Sequence, residues 1–268
     1  MQRFTRFALF TFITFSSFAQ ADGLTDLKNA LGRLQGSGHL SAELEAVNER
    51  TRGEDEDKKV TRGQVKVWLE DDSQGLQVLY SNEVLSLMET EARLKAEDEE
   101  AQTQTLNAVD GINATDLHAM LSASSSLLRH IDQANFLDES RDQTKLDKKG
   151  QALRLLRFSL PMEFFIDDKE VRGYVKKFAA TYNIWIDQQG HPVESRVEYK
   201  GKGRAYIFFK ITASGSRQTQ YQVVDDRLVI VRSEQQNENT STFGYFSRSA
   251  VKTLKIHHEE AQSRLASN

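Results

Sequence analysis

The sequence has no cysteine and 2 prolines in 268 residues. It therefore offers no disulfide scaffold, no thiol nucleophile and no thiolate metal site. A chain of this size buries enough core to do without such staples. It also lacks the short patterns that carry common chemistries. No Gly-x-Ser-x-Gly elbow occurs, and there is no phosphate-binding loop. Gly201-Lys202-Gly203 begins like a dinucleotide fingerprint, but Tyr206 stands where the third glycine belongs. His118 and His130 are too far apart to share a ligand spacing, and His39 and His191 stand alone. His257-His258-Glu259-Glu260 is the densest group of ligating types, and it reads as a solvated tail. No metal, cofactor or catalytic residue is expected. A formal charge of −4 and no evident basic cluster argue against nucleic acid as a partner.

The long apolar run that is present lies at the start. Arg3 and Arg6 precede an apolar stretch at 7–18, and Ala19-Gln20-Ala21 follows as a small-x-small cleavage site. The run is too short to span a bilayer, which needs about 20 apolar residues. These features predict a signal peptide removed after Ala21 and a periplasmic destination. Loss of the two arginines takes the charge from −4 to −6. No later segment is long and apolar enough to cross a membrane.

The remainder reads as strands around one helical block. From 171 to 256, alternating side chains predict an antiparallel meander. Tyr174, Phe178, Ala180, Tyr182, Ile184 and Ile186 share a parity, and Asp187-Gln188-Gln189-Gly190 supplies a turn. Val193, Val197 and Tyr199 alternate with charged residues. Gly201-Lys202-Gly203 and Ser214-Gly215-Ser216 read as turns, and the polar run 233–241 as a separator. Segments 205–211 and 228–231 are apolar on both parities, as strands covered on two sides would be. Upstream, Leu24, Leu27, Leu31 and Leu34 predict a helix capped by Asp22 or Thr25 and ended at Gly36-Ser37-Gly38. A strand at 40–46, a charged loop at 48–62 and strands around 65–69 and 76–80 follow. Residues 83–132 form the helical insert: an exposed helix to about 104, a linker at 107–113, then one amphipathic helix opened by Thr115-Asp116. Phe136-Leu137 reads as opening a strand, 138–150 as a charged loop, and 153–160 as a strand stopped at Pro161. The expected fold is mainly β (α+β), one domain over 22–256 with helices on one face of the sheet, and a polar tail at 257–268.

The aromatic residues concentrate in the strands. Trp68, Tyr174, Phe178, Tyr182, Tyr206, Phe208, Tyr221, Phe243 and Tyr245 are the candidate ligand-binding residues. The plainer reading places them in a core. The sharper one has a curved sheet whose concave face receives an apolar ligand. The signal peptide, the opening helix, the Gly-Ser-Gly step, the helical insert and the hairpin Ile184-Trp185-Ile186-Asp187-x-x-Gly190-x-Pro192 together resemble the periplasmic lipoprotein carriers and receptors of the Lol pathway and the related RseB-type regulators. That resemblance implies an incomplete antiparallel barrel lidded by helices, a cavity for acyl chains, and a lipid or acylated protein as partner. A second expectation is an envelope interaction module, in which the acidic helix and charged loops contact a protein partner and the sheet is scaffold. A hydrolase would need two carboxylates and a histidine gathered in one cleft.

Overall fold

A computed structural model describes residues 22–53, 57–72, 74–205, 209–242 and 244–257. The expected signal segment and the tail from 258 lie outside them. Among the described residues ten strands form a single antiparallel sheet. They are β1 (Leu40–Arg52), β2 (Lys59–Asp72), β3 (Gly75–Leu79), β4 (Asn135–Leu146), β5 (Ala152–Ser159), β6 (Val175–Ile186), β7 (Pro192–Ala205), β8 (Phe209–Val224), β9 (Arg227–Ser241) and β10 (Gly244–His257). Their order is β3-β2-β1-β10-β9-β8-β7-β6-β5-β4, so the sheet is open, with β3 and β4 as edges. The helices are α1 (Gly23–Arg33), α2 (Asn82–Glu97), α3 (Gln104–Val109), α4 (Ala114–Leu121), α5 (Ser124–Gln133) and α6 (Lys169–Tyr174).

Register shows which residues share a face, because directly opposed residues of an antiparallel pair point the same way. Leu44 stands opposite both Val67 and Leu254. Tyr182 stands opposite both Phe158 and Val197. On this face, Leu27 and Leu31 of α1 and Leu127 and Ile131 of α5 pack with Leu156, Phe158, Tyr182 and Ile184. Ala108, Leu117 and Leu121 of α3 and α4 pack with Leu44, Val67 and Leu69. Ile230 touches both clusters. Leu228 and Val229 are fully buried, in keeping with the doubly apolar parity at 228–231.

Two buried arginines tie the helices and linkers to the sheet. Arg227 pairs with Asp71 at 2.5 Å and donates to the carbonyls of Gly36 and Gly38, fixing the step between α1 and β1. Arg154 of β5 bonds Asp26 of α1 and Glu139 of β4, each at 2.7 Å. Asp22 caps α1 through the Leu24 amide.

Several expected loops are strand. The charged stretch 48–62 continues β1 and begins β2, with Arg50 opposite Thr61 and Arg52 opposite Lys59. The stretch 138–150 is largely β4, and 233–241 is the second half of β9. Lack of apolar residues did not prevent pairing, because a ladder satisfies the backbone whatever the side chains are. A charged outer strand such as β4 also discourages pairing with other chains. The linker at 107–113 instead begins within α3, which lies against β2. A Cβ at Gly63 would stand 2.6 Å from the Ala108 amide, so glycine permits that approach. Glu91 of α2 accepts from the Thr105 and Leu106 amides at the start of α3. The single helix expected after 115 breaks at Ser122-Ala123, where the Ala123 amide donates to the Leu228 carbonyl. No helix among the described residues is long and apolar enough to cross a membrane.

Candidate functional site

The strands β6, β7 and β8 run 12, 14 and 16 residues, and β7 and β8 are longer than the sequence predicted. The reason lies in two expected turns that are strand. Gly201 pairs with Ala213 and Gly203 with Ile211, within a β7 that continues to Ala205. Ser214-Gly215-Ser216 lies inside β8, where Gly215 faces Tyr199. Small residues stand here because of what lies over them. A Cβ at Gly203 would sit 3.1 Å from Ile211 Cγ2 and 3.2 Å from the Tyr174 carbonyl. At Gly201 the nearest atom would be Phe178 Cδ2, at 3.6 Å, so that position opens onto space.

That space is an apolar cavity of about 520 Å³. Gly201, Gly203 and Ala213 form its floor, with Val175, Phe178 and Tyr199 beside them. Its roof is the segment after Pro161, which leaves the sheet because proline cannot continue the ladder. A 3-10 turn at Met162–Phe164 leads to α6, and Phe165, Ile166, Val171 and Tyr174 close over the floor. Asp168 caps α6 through the Glu170 and Val171 amides. Arg172 donates back to the Ile166 and Asp167 carbonyls, both at 2.7 Å, which sets the loop's shape. Aromatic contacts hold the roof down. Phe165 lies 4.8 Å from the Tyr199 ring and 5.4 Å from that of Phe178, and Phe164 lies 5.1 Å from His130 of α5.

Lys202 also lines the cavity, and the phenols near it are hydrogen-bonded and uncharged. Tyr199 donates to Asn237 Oδ1 at 3.2 Å. Ser195 and Tyr221 share a hydrogen bond of 2.9 Å. Burial pushes the Tyr182 phenol well up and raises those of Tyr199 and Tyr221. These groups remain neutral phenols. Burial, then the charges of Arg217 and Arg129, pull His130 down, so the neutral imidazole is favoured. Among the described residues no cluster of three His, Asp or Glu side chains is placed to hold a metal.

The sequence candidates divide by place. Tyr174 and Phe178 line the cavity. Tyr182 and Tyr221 belong to the packed cluster on the same face. Trp68 lies on the other face of β2, its ring 4.6 Å from that of His257, and donates to Glu70. Tyr245, opposite Thr240, alternates with the core-facing positions of β10. Tyr206, Phe208 and Phe243 lie outside the described residues. The roof residues Phe165, Ile166 and Val171 were not among the candidates, nor were Gly201 and Gly203. The glycines continue the parity of Val197 and Tyr199, and that was the signal available for them.

Fold and cavity together define a mainly β protein: an open ten-stranded antiparallel sheet with an apolar pocket at one end of β6–β8. No family model matches the chain, and no curated protein matches it in sequence.

Proposed function

We propose that this is an exported, periplasmic, non-enzymatic protein that binds a lipid-like ligand, with an acyl chain held between the sheet and the 162–174 roof. The observation that carries this reading is the cavity's composition. A volume of about 520 Å³ falls within the range of about 300–1,000 Å³ usual for small-molecule sites. Its floor is glycine and alanine, and its walls are aromatic and aliphatic. Each methylene buried there contributes about 0.8 kcal/mol. In this reading the sheet curves as an incomplete barrel, the helices act as its lid, and the likeness to the Lol carriers extends to cargo chemistry.

The test is native mass spectrometry of protein purified from the periplasm, followed by titration of the delipidated protein with a fluorescent fatty-acid analogue. A co-purifying lipid and saturable, competable binding support the proposal. A bare protein that ignores the analogue refutes it. The alternative, a protein-interaction module, draws on α2, which buries none of its residues and exposes Leu85, Leu87 and Leu94. Deleting 91–104 separates the two readings by whether lipid binding or partner binding is lost.

A further inference from the structure

The face of the sheet that carries the helices also carries a strip outside their packing. Asn237 and Asn239 of β9 and Phe246 and Arg248 of β10 belong to neither packed cluster and stay half-buried. The register fixes their side. Ala213 of the cavity floor stands opposite Asn239, Asn239 opposite Phe246, and Phe246 opposite Arg52. In the next row Gly215 stands opposite Asn237, Asn237 opposite Arg248, and Arg248 opposite Arg50. Opposed residues share a face, so Arg50, Arg52 and Arg248 lie on the side of the cavity floor. A Cβ at Gly111, just past the end of α3 on that same face, would stand 3.9 Å from Arg248 Nη2.

The fixed charge of this strip has one sign. The glutamates of β1, β7 and β9 all have the other parity, and β6, β8 and β10 contain no aspartate or glutamate. Asp116 of α4 is taken by Lys252 at 3.2 Å. Among the described residues neither Arg50 nor Arg248 forms an ion pair. Arg52 lies over the Phe246 ring, 6.0 Å from its centroid. Like charges directly opposite one another destabilise a strand pair. Arg50 against Arg248 is such a pair, half-buried on both strands. Two guanidinium forks side by side match the several oxygens of a phosphate. We propose that the ligand of the cavity is an anionic amphiphile whose phosphate headgroup sits on Arg50 and Arg248. Its chain runs over Phe246 and Asn239 to the floor at Ala213. Adjacent strands lie about 4.8 Å apart, so β1 is about 14 Å from β8, a span that one acyl chain covers. This inference rests on the lipid reading above and adds the charge and class of the headgroup.

The test is titration of the delipidated protein with two lipids of the same acyl chain, each below its micelle-forming concentration. One is a lysophosphatidylglycerol and the other an uncharged monoacylglycerol. The lysophosphatidylglycerol should bind on the order of a hundredfold more tightly, because two charge-assisted hydrogen bonds hold its phosphate. In R50Q/R248Q that preference should disappear while the monoacylglycerol binds as before. Because R50Q/R248Q relieves repulsion, its melting temperature should hold or rise, so a lost preference would not reflect misfolding. K66Q/K255Q, which removes equal charge from the opposite face, should keep the preference. Inorganic phosphate should fail to displace the lysophosphatidylglycerol, since the chain anchors it. Full displacement would make free phosphate the ligand and overturn the proposal. Equal binding of the two lipids, or a preference that survives R50Q/R248Q, would overturn the headgroup assignment and leave the cavity reading standing. Binding of neither lipid would refute both.

Discussion

Gly201→Leu probes the cavity with little risk to the fold. A Cβ at this position meets Phe178 Cδ2 at 3.6 Å and the Lys177 carbonyl at 4.0 Å, both ordinary contacts. The remaining three carbons therefore grow into the cavity and not into backbone. Glycine inside a strand costs about 0.5–1 kcal/mol relative to alanine, so the substitution should not lower stability. It does displace about four methylenes of ligand at about 0.8 kcal/mol each, or about 3 kcal/mol. The dissociation constant of an acyl ligand should rise on the order of a hundredfold. Two measurements check this: titration of the delipidated variant with a fluorescent fatty acid, and urea denaturation of the same sample. A variant as stable as the parent that binds the fatty acid equally well would show that the ligand does not sit on Gly201. The reasoning from floor to function would then be wrong.

Other substitutions test the surrounding architecture. Arg227→Ala strands Asp71, whose side chain is 10% exposed, beside two carbonyls that lose their donor. It should cost about 3–5 kcal/mol in denaturant, with part recovered by adding Asp71→Asn. Full stability in the single variant would remove Arg227 as the clamp of the α1–β1 step. Gly215→Ala would drive a Cβ onto Asn237 Oδ1 and to 2.6 Å from Tyr199 Cε1. It should break the Tyr199–Asn237 bond and cost about 1–3 kcal/mol. His130 titrates below its ordinary value of 6.5 in the folded state. As pH falls through that ordinary value, the unfolded chain takes up the proton first, so stability declines. Thermal melts of His130→Phe should lose this acid-side decline. A variant with the parent's pH profile would place the effect elsewhere.

What could be read from the sequence depended on which signal was unique to one structure. The Asp187–Gly190 turn was legible because Gly190 has φ +83° and its carboxylate-capped geometry has few alternatives. The helix α1 was legible from its leucine spacing and its Asp22 cap. Gly201, Gly203 and Gly215 were not, since glycine in a turn and glycine under a close neighbour look alike in one dimension. The difference is the Tyr174 carbonyl above Gly203 and the Tyr199 ring beside Gly215, both distant in the chain or on another element. The roof at 162–174 was overlooked for a similar reason. Its shape rests on Arg172 reaching back to two carbonyls, and no side-chain periodicity records that bond.

The place of β10 has a consequence for how the molecule is made. It lies between β1 and β9, and twelve residues of β1, from Ser41 to Arg52, already paired with β2 on one side, find their partners on the other side only at 246–257. Until the final strand arrives, β1–β3 share no ladder with β4–β9, and the sheet exists as two separate fragments. Contacts this distant in sequence form slowly. The sheet therefore closes late, once residues 246–257 are available to β1.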